Sequence, residues 1–391
     1  MIDVVYWSPE DKCVDVEYLK REDVSSAILL NKVFSDEYSK SPELHSIEIE
    51  TINACNNDCS FCPASKKNDT RIHKFMSEEL FKKIIAELEV MQYSGVLSLF
   101  SNNEPLLDKR IFKFIEYARK HLPNAKHAIF TNGILLDTEK FEHLCKHLDK
   151  LVIDNYNDDL KLNPNIKNIV EIYSERTIEC NVKIFVRKKN QIRDSRGGQA
   201  PNREKVFGFT SACMLPITQM IVRPDGKISL CCQDAMGLVT LGDVSSDSIR
   251  DVWNGKEYAM LRSKLSSGMR CAMPYCCNCD IFGIVNYRPR RWDSLIIKGF
   301  LEWIDTNKCT RIYVSGCSKF YNKIVQLVSG LSVDVVSFKH DKWFLDKDEV
   351  LCVEDNDSNI VAPFESAGQK VGEKILICGV LNTVEHQNES V

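Results

Sequence analysis

From residue 46 the chain alternates between two periods of apolar residues. SIEIETI at 46–52 places an apolar side chain at every second position, as a strand with one apolar and one polar face does. In SEELFKKIIAELEVMQYSG at 77–95 the period changes: Leu80, Ile84, Leu88 and Met91 share one helical face, Ser77 is placed as an N-cap, and Gly95 is a stop. The unit then repeats. GVLSLFSNNEP reads as a buried strand, RIFKFIEYARKHLP as a helix ended by Pro123, HAIFTNG as a strand, and TEKFEHLCKHLDK as a helix. LVIDNY and NVKIFVRKK supply two more strands around the helical NIKNIVEIYSE. Strands alternating with helices predict parallel strands joined by right-handed crossovers, in an open doubly wound sheet or a full or partial barrel. Either architecture puts chemistry at the C-terminal ends of the strands.

The flanks read differently. Residues 1–44 are polar and mixed, too short for a robust domain, and are expected to dock on the strand-and-helix core as a strand and a helix of their own. That core is expected over 45–192, and RDSRGGQAPNR, rich in glycine and charge, reads as a linker closing it. Next comes a cysteine-rich region over 204–285, with a hairpin turn at Asp225-Gly226 between ITQMIVRP and KISLCC. From about residue 300, RIYVSGCSKF, NKIVQLVSG, VDVVSFK and EKILICGV predict a second strand-helix-strand segment, a C-terminal α/β half-domain. Its lone Gly316 does not make a dinucleotide fingerprint.

Charge and composition narrow the function classes. The 391 residues carry 51 basic and 55 acidic side chains, a net −4, so no whole-chain field recruits nucleic acid or anionic lipid. The first residues, with Asp3, Glu10 and Asp11, lack the apolar core of a signal peptide, and no run reaches membrane-spanning length. The expected location is the cytoplasm, where 17 cysteines are not a disulfide framework and clustered ones point to metal or redox chemistry. Cys13, Cys145, Cys180, Cys309, Cys317, Cys352 and Cys378 are scattered and read as small buried hydrophobes. His143 and His147 stand one helical turn apart, a spacing that could grip a metal, although an amphipathic surface helix accounts for it as well.

One cluster is CNNDCSFC at 55–62, at the end of the first strand. Closed zinc sites and ordinary four-iron clusters use four protein ligands. Three thiolates leave one iron open, with room to chelate a cofactor and pass it an electron. A zinc knuckle borrowing a distant ligand is the plainer alternative, and a zinc ribbon is the plainer alternative for the second cysteine set.

Cys55-x3-Cys59-x2-Cys62, with Phe61 before the last cysteine, resembles the signature of the radical S-adenosylmethionine (radical SAM) enzymes. SNNEPLLD is similar to the family's Gly-Gly-Glu-like segment, with Asn102, Asn103 and Glu104 in the place that holds the methionine amino group; both glycines are replaced by Asn. TNGILLD, with Asn132, resembles the third-strand segment. Asp154 and Asn155 fall where family members contact the ribose, and Arg187 where the methionine carboxylate can pair. Cys213, Gly226-x4-Cys231 and Cys276-x2-Cys279 resemble the SPASM/twitch extension, and these four cysteines suffice for one closed auxiliary cluster.

The resemblance implies a partial (β/α)6 TIM-like barrel, a small α+β cysteine-rich extension, and a C-terminal Rossmann-like half-domain. The implied cofactors are S-adenosylmethionine, a [4Fe-4S] cluster on Cys55, Cys59 and Cys62, and one auxiliary [4Fe-4S] cluster on Cys213, Cys231, Cys276 and Cys279. In the family's chemistry the first cluster reductively cleaves S-adenosylmethionine, and the 5′-deoxyadenosyl radical takes a hydrogen atom from a substrate carbon. A closed auxiliary cluster then favours net oxidation of a small, sugar-like molecule, with an external reductant of the flavodoxin or ferredoxin type. Alternatives are a ribosomal-peptide maturase that crosslinks or epimerises, with Cys232 or Cys277 returning hydrogen, and a metal-binding interaction protein without turnover.

Overall fold

Ile47 and Ile49 lie wholly buried on one side of the strand Ser46–Ile49 (β2). Each successive crossover adds a parallel strand beside the last. A computed structural model of the chain describes residues 2–6, 43–203, 213, 215–273, 275–281, 311–315, 329–332, 334–337 and 349–353. The strands are β1 (Ile2–Tyr6), β2, β3 (Val96–Ser98), β4 (Lys126–Thr131), β5 (Lys150–Tyr156), β6 (Asn181–Arg187), β7 (Gln219–Val222), β8 (Lys227–Ser229) and β9 (Thr240–Asp243). The helices between them are α1 (Glu78–Val90), α2 (Ile111–His121), α3 (Thr138–His147) and α4 (Pro164–Tyr173). The sheet order is β1-β6-β5-β4-β3-β2-β7-β8-β9.

That order decides between the two architectures. From β2 to β6 each strand pairs with its predecessor and the direction never reverses. Same-handed crossovers then keep every helix on one side, as in a barrel wall rather than a doubly wound sheet. The helix side is apolar: Phe81 of α1 stacks on Phe114 of α2, ring centres 4.2 Å apart. Ser77 caps α1 as its sequence predicts, accepting from the Leu80 amide at 3.1 Å.

The ends of the sheet differ from the sequence-based boundaries. β7, expected in a separate extension, pairs parallel with β2, so the cysteine-rich hairpin β7–β8 continues the main sheet. Residues 1–14 and 38–283 accordingly form one compact unit, in which the regions 45–192 and 204–285 are joined. β1 closes the other edge by pairing in parallel with β6. Gly226, at φ +86°, makes the predicted hairpin turn, where a side chain would be strained. Two further helices, α5 (Ile249–Asn254) and α6 (Lys256–Ser266), pack beyond β9.

The second compact unit comprises residues 15–37 and 284–391. Its described strands, β10 (Arg311–Ser315), β11 (Asp334–Ser337) and β12 (Glu349–Val353), are parallel in the order β11-β10-β12, in keeping with an α/β half-domain. The strand expected at EKILICGV lies outside the described residues, as do Cys13, Cys309, Cys317 and Cys378. No helix among the described residues is long and apolar enough to cross a membrane.

Candidate active site

A cavity of about 330 Å³ opens at the C-terminal ends of the parallel strands. Strand geometry determines which side chains reach it, because successive residues point to opposite faces. On β2, Ile47 and Ile49 face the helices while Glu48 faces the cavity. The polar side of SIEIETI is therefore turned to a buried lumen, not to water. On β5, Val152, Asp154 and Tyr156 line the cavity and Asn155 does not. Asn155 is instead wholly buried on the other face, where it accepts from the Asn163 amide at 2.8 Å and donates to the Lys161 carbonyl at 2.9 Å. The pairing of Asp154 with Asn155 expected from the sequence is thus corrected by the strand's period of two.

Cys55, Cys59 and Cys62 occupy one wall, in the loop between β2 and α1. Backbone bonds hold this loop: the Lys66 amide to the Asn57 carbonyl (2.8 Å), Ser60 to Lys189 (3.0 Å), and Cys62 to Cys59 (3.3 Å). Burial pushes the Cys55 thiol up to about 12, with Glu104 and Cys62 adding to the effect. The Cys59 thiol is raised by burial and then by Cys62 and Cys55. Cys55 and Cys59 are therefore poor thiolates by themselves, and a bound iron ion would supply the charge that stabilises them. The donor set therefore fits a cluster held by three cysteines.

Glu104 braces this wall from behind. Its Oε1 accepts from the Thr131 hydroxyl (2.7 Å) and the Leu106 amide (3.1 Å), and Oε2 from the Asn132 amide (2.7 Å). Burial raises its carboxyl to about 7 despite these donors. Asn132 in turn donates to Asn56 at 2.7 Å and lies 3.8 Å from the Cys55 sulfur. Phe61 lines the cavity and packs on Tyr156, centroids 5.7 Å apart. Arg187 also lines it, paired with Asp154 at 2.8 Å.

A further part of the lining comes from a segment that sequence patterning treats as a linker. Arg193 lies over the Phe61 ring, 5.3 Å from its centre. Arg196 donates to Asn102 Oδ1 at 3.0 Å and to the Cys232 carbonyl at 3.1 Å, while Gly197 and Gly198 turn the chain with positive φ. Ser195 anchors the segment to the cysteine-rich region through its amide and Asp280, 2.8 Å. The readable signal was charge: two arginines and an aspartate directly after a barrel strand, where functional loops lie.

Four buried polar atoms of the lining form no hydrogen bond among the described residues: Glu48 Oε2, Asn103 Nδ2, Gln233 Oε1 and Arg196 Nε, the last facing Asp194 Oδ2 at 3.6 Å. Gln219 donates to the other Glu48 oxygen at 2.6 Å. Burial raises the Glu48 carboxyl to about 7, with Ser101 beside it pulling the other way. Buried groups are ordinarily satisfied, so this set calls for a polar ligand with both donors and acceptors.

A second cysteine group lies in the same unit. Cys213, Cys231, Cys276 and Cys279 are all buried. Burial raises the Cys231 thiol well above the ordinary value, and Cys232, Cys276, Cys279 and Cys213 raise it further. The Cys279 thiol is pushed up to about 11 by burial, with Cys213 adding to it. These four sulfurs have the chemistry of a closed cluster site. Cys232 lies next to them in sequence but lines the cavity, where Glu48 and Arg196 bear on its thiol. Cys277 is disulfide-bonded to Cys271 and does not line the cavity, so in this state it has no S–H to give. Cys180 is buried and Cys145 partly so.

Comparison with known proteins agrees with this geometry. The radical SAM superfamily profile matches residues 49–180, and the SPASM iron-sulfur cluster-binding domain matches residues 213–280. The chain carries a radical SAM domain followed by a SPASM domain. Its cofactors are accordingly S-adenosylmethionine, a four-iron cluster and auxiliary iron-sulfur chemistry, and it is an enzyme of the radical-based type. The S-adenosyl-L-methionine-dependent 2-deoxy-scyllo-inosamine dehydrogenase of Niallia circulans is 24% identical over 237 residues, 60% of this chain and 92% of its own. The crystal structure of BtrN with AdoMet and 2-DOIA superposes with a TM-score of 0.55 at 22% identity, covering 62% of this chain and 95% of that one. Streptococcus suis SuiB bound to its precursor peptide SuiA gives a TM-score of 0.44 at 14% identity, over 63% and 74% of the two chains. The radical SAM and SPASM resemblance read from the cysteine spacing therefore holds.

Proposed function

We propose that this radical SAM enzyme oxidises a hydroxyl-bearing carbon of a small polyhydroxylated ring, an aminocyclitol or a sugar-like relative, by net removal of two hydrogens. The carrying observation is the mixed lining of one cavity: three cysteine thiols together with Arg196, Glu48, Asn103 and Gln233, each with a buried polar atom that forms no hydrogen bond. The name of the Niallia circulans relative supports the same reading.

When bound, S-adenosylmethionine and its cluster supply a carbon-centred radical that removes one hydrogen atom from the substrate. Cys55, Cys59 and Cys62 hold that cluster, and Glu104 keeps the Asn132 loop against Cys55. The remaining tasks fall to the polar residues of the lining. Arg196, whose guanidinium stays charged beside Asp194 despite burial, holds the substrate oxygen and stabilises negative charge on it. Glu48 Oε2 accepts the hydroxyl proton, for which a carboxyl near 7 is well matched. Cys213, Cys231, Cys276 and Cys279 would hold an auxiliary cluster, which would accept the second electron, so that the oxidation balances as one hydrogen atom, one proton and one electron. Cys232, facing the same cavity, is the thiol that would return a hydrogen atom if the outcome were epimerisation instead. An external one-electron donor starts each cycle.

Anaerobic reconstitution with S-adenosylmethionine, a chemical reductant and a panel of aminocyclitols including 2-deoxy-scyllo-inosamine tests this reading. The expected result is 5′-deoxyadenosine and a product two mass units lighter, in equal amounts. Cofactor cleavage with only a precursor peptide as partner would replace the small-molecule reading, and solvent deuterium in an isobaric product would replace oxidation with epimerisation.

A further inference from the structure

The outer side of the barrel carries a side-chain cluster that this reaction does not use. His143 and His147 stand one turn apart on α3, and Glu116 reaches them from α2. Their ligand-capable atoms, two imidazole nitrogens and a carboxylate oxygen, all lie within 4.8 Å of one another. Glu116 Oε1 is 3.2 Å from His143 Nε2, and the two imidazole rings are centred 4.9 Å apart. The His143 nitrogen is shielded from solvent and makes no well-formed hydrogen bond. Phe112 holds the His143 ring edge-on at 5.0 Å. Arg119 of α2 fastens the end of α3, donating to the His147 carbonyl (2.9 Å) and to Asp149 (2.6 Å). The three donors thus stand on two helices already fixed to each other.

We propose that Glu116, His143 and His147 form a binding site for a divalent transition-metal ion, zinc being the best match, that clips α2 to α3 outside the catalytic cavity. Two imidazoles at i and i+4 with one carboxylate make a mixed nitrogen and oxygen set that suits zinc, leaving a fourth position for water. Calcium and magnesium prefer oxygen alone. Entry is open, since the Glu116 side chain is 50% exposed and that of His143 33%. None of the three residues lines the cavity or belongs to either cysteine group. A surface ion pair would explain Glu116 with His143; the second imidazole converging on the same point is what the ion explains. The nearby cations acting on His147 are Lys146 and Arg119, and Arg119 is neutralised by Asp149.

Zinc itself is the probe. Cluster-loaded enzyme is dialysed anaerobically against buffered zinc, and zinc, iron and sulfide are measured per chain. About one zinc per chain is expected with iron and sulfide unchanged, and an X-ray absorption spectrum with a nitrogen and oxygen shell at about 2.0–2.1 Å. His147→Ala is expected to weaken uptake at least tenfold, and so is Glu116→Gln, an exposed change that retains iron content and melting temperature. Equal zinc affinity in wild type and both variants overturns the site, as does a sulfur shell at about 2.3 Å, the signature of zinc on cysteine.

Discussion

The two cysteine groups reach similar chemistry by opposite routes. Cys55, Cys59 and Cys62 lie within one loop, gathered by local turns such as the Cys62 amide on the Cys59 carbonyl, and they open onto the cavity. Cys213, Cys231, Cys276 and Cys279 are collected from before β7, after β8 and beyond α6, and lie buried. A local trio leaves a coordination position for a cofactor; a dispersed quartet closes its site and can only pass electrons. On the proposed function, the first group starts the chemistry and the second finishes it.

Removing one sulfur from each group is the most severe test. Cys59→Ala should bring S-adenosylmethionine cleavage below detection, whereas Cys279→Ala should leave 5′-deoxyadenosine formation while oxidised product falls by roughly 100-fold, as for loss of an essential electron route. Equal loss of cleavage in both variants, measured by chromatography of the anaerobic reaction, would contradict the division of labour. Arg196→Ala comes next, because its guanidinium bears on both Cys62 and Cys232. Product should drop on the order of 100-fold through lost charge stabilisation, with iron content unchanged and cleavage partly uncoupled. An unchanged ratio of product to 5′-deoxyadenosine would remove Arg196 from the proposed chemistry.

Glu48→Gln has the smallest expected effect and separates the polar residues of the lining from the thiols further. A carboxyl held near 7 by burial stabilises the folded chain fully below its ordinary value of 4.5, and that contribution is lost as pH rises through about 7. The stability lost by wild type between pH 4.5 and 8 should exceed that of the glutamine variant by on the order of 3 kcal/mol. Denaturant titration at several pH values reads this difference. Product formation should also lose its rise with pH near 7 in the variant; parallel stability curves together with parallel rate profiles would show that Glu48 does not titrate there.

Much of the site was legible because its signals are local. The cysteine spacing, Glu104, and the strand ends at Thr131-Asn132-Gly133 and Asp154 all came from short segments whose periodicity places them at the mouth of the barrel. Three features were hidden. Glu48 is only one of the polar positions of an alternating strand, since alternation separates two faces without saying which one is water. Asp154 and Asn155 both fall at the ribose position by resemblance, but successive strand residues point to opposite faces and only Asp154 lines the cavity. Arg193 and Arg196 were masked by a glycine-rich composition that resembles a linker.

Neighbours along the chain were enough to set the periods of strand and helix, the local trio of thiols and the family they signal. Tertiary packing alone joins β7 to β2, brings Arg193 and Arg196 to the cavity, and brings Glu116 to two histidines. Those contacts link segments far apart in the chain, and burial, not spacing, gives Glu48 and Glu104 their raised pKa values and the dispersed cysteines their common site.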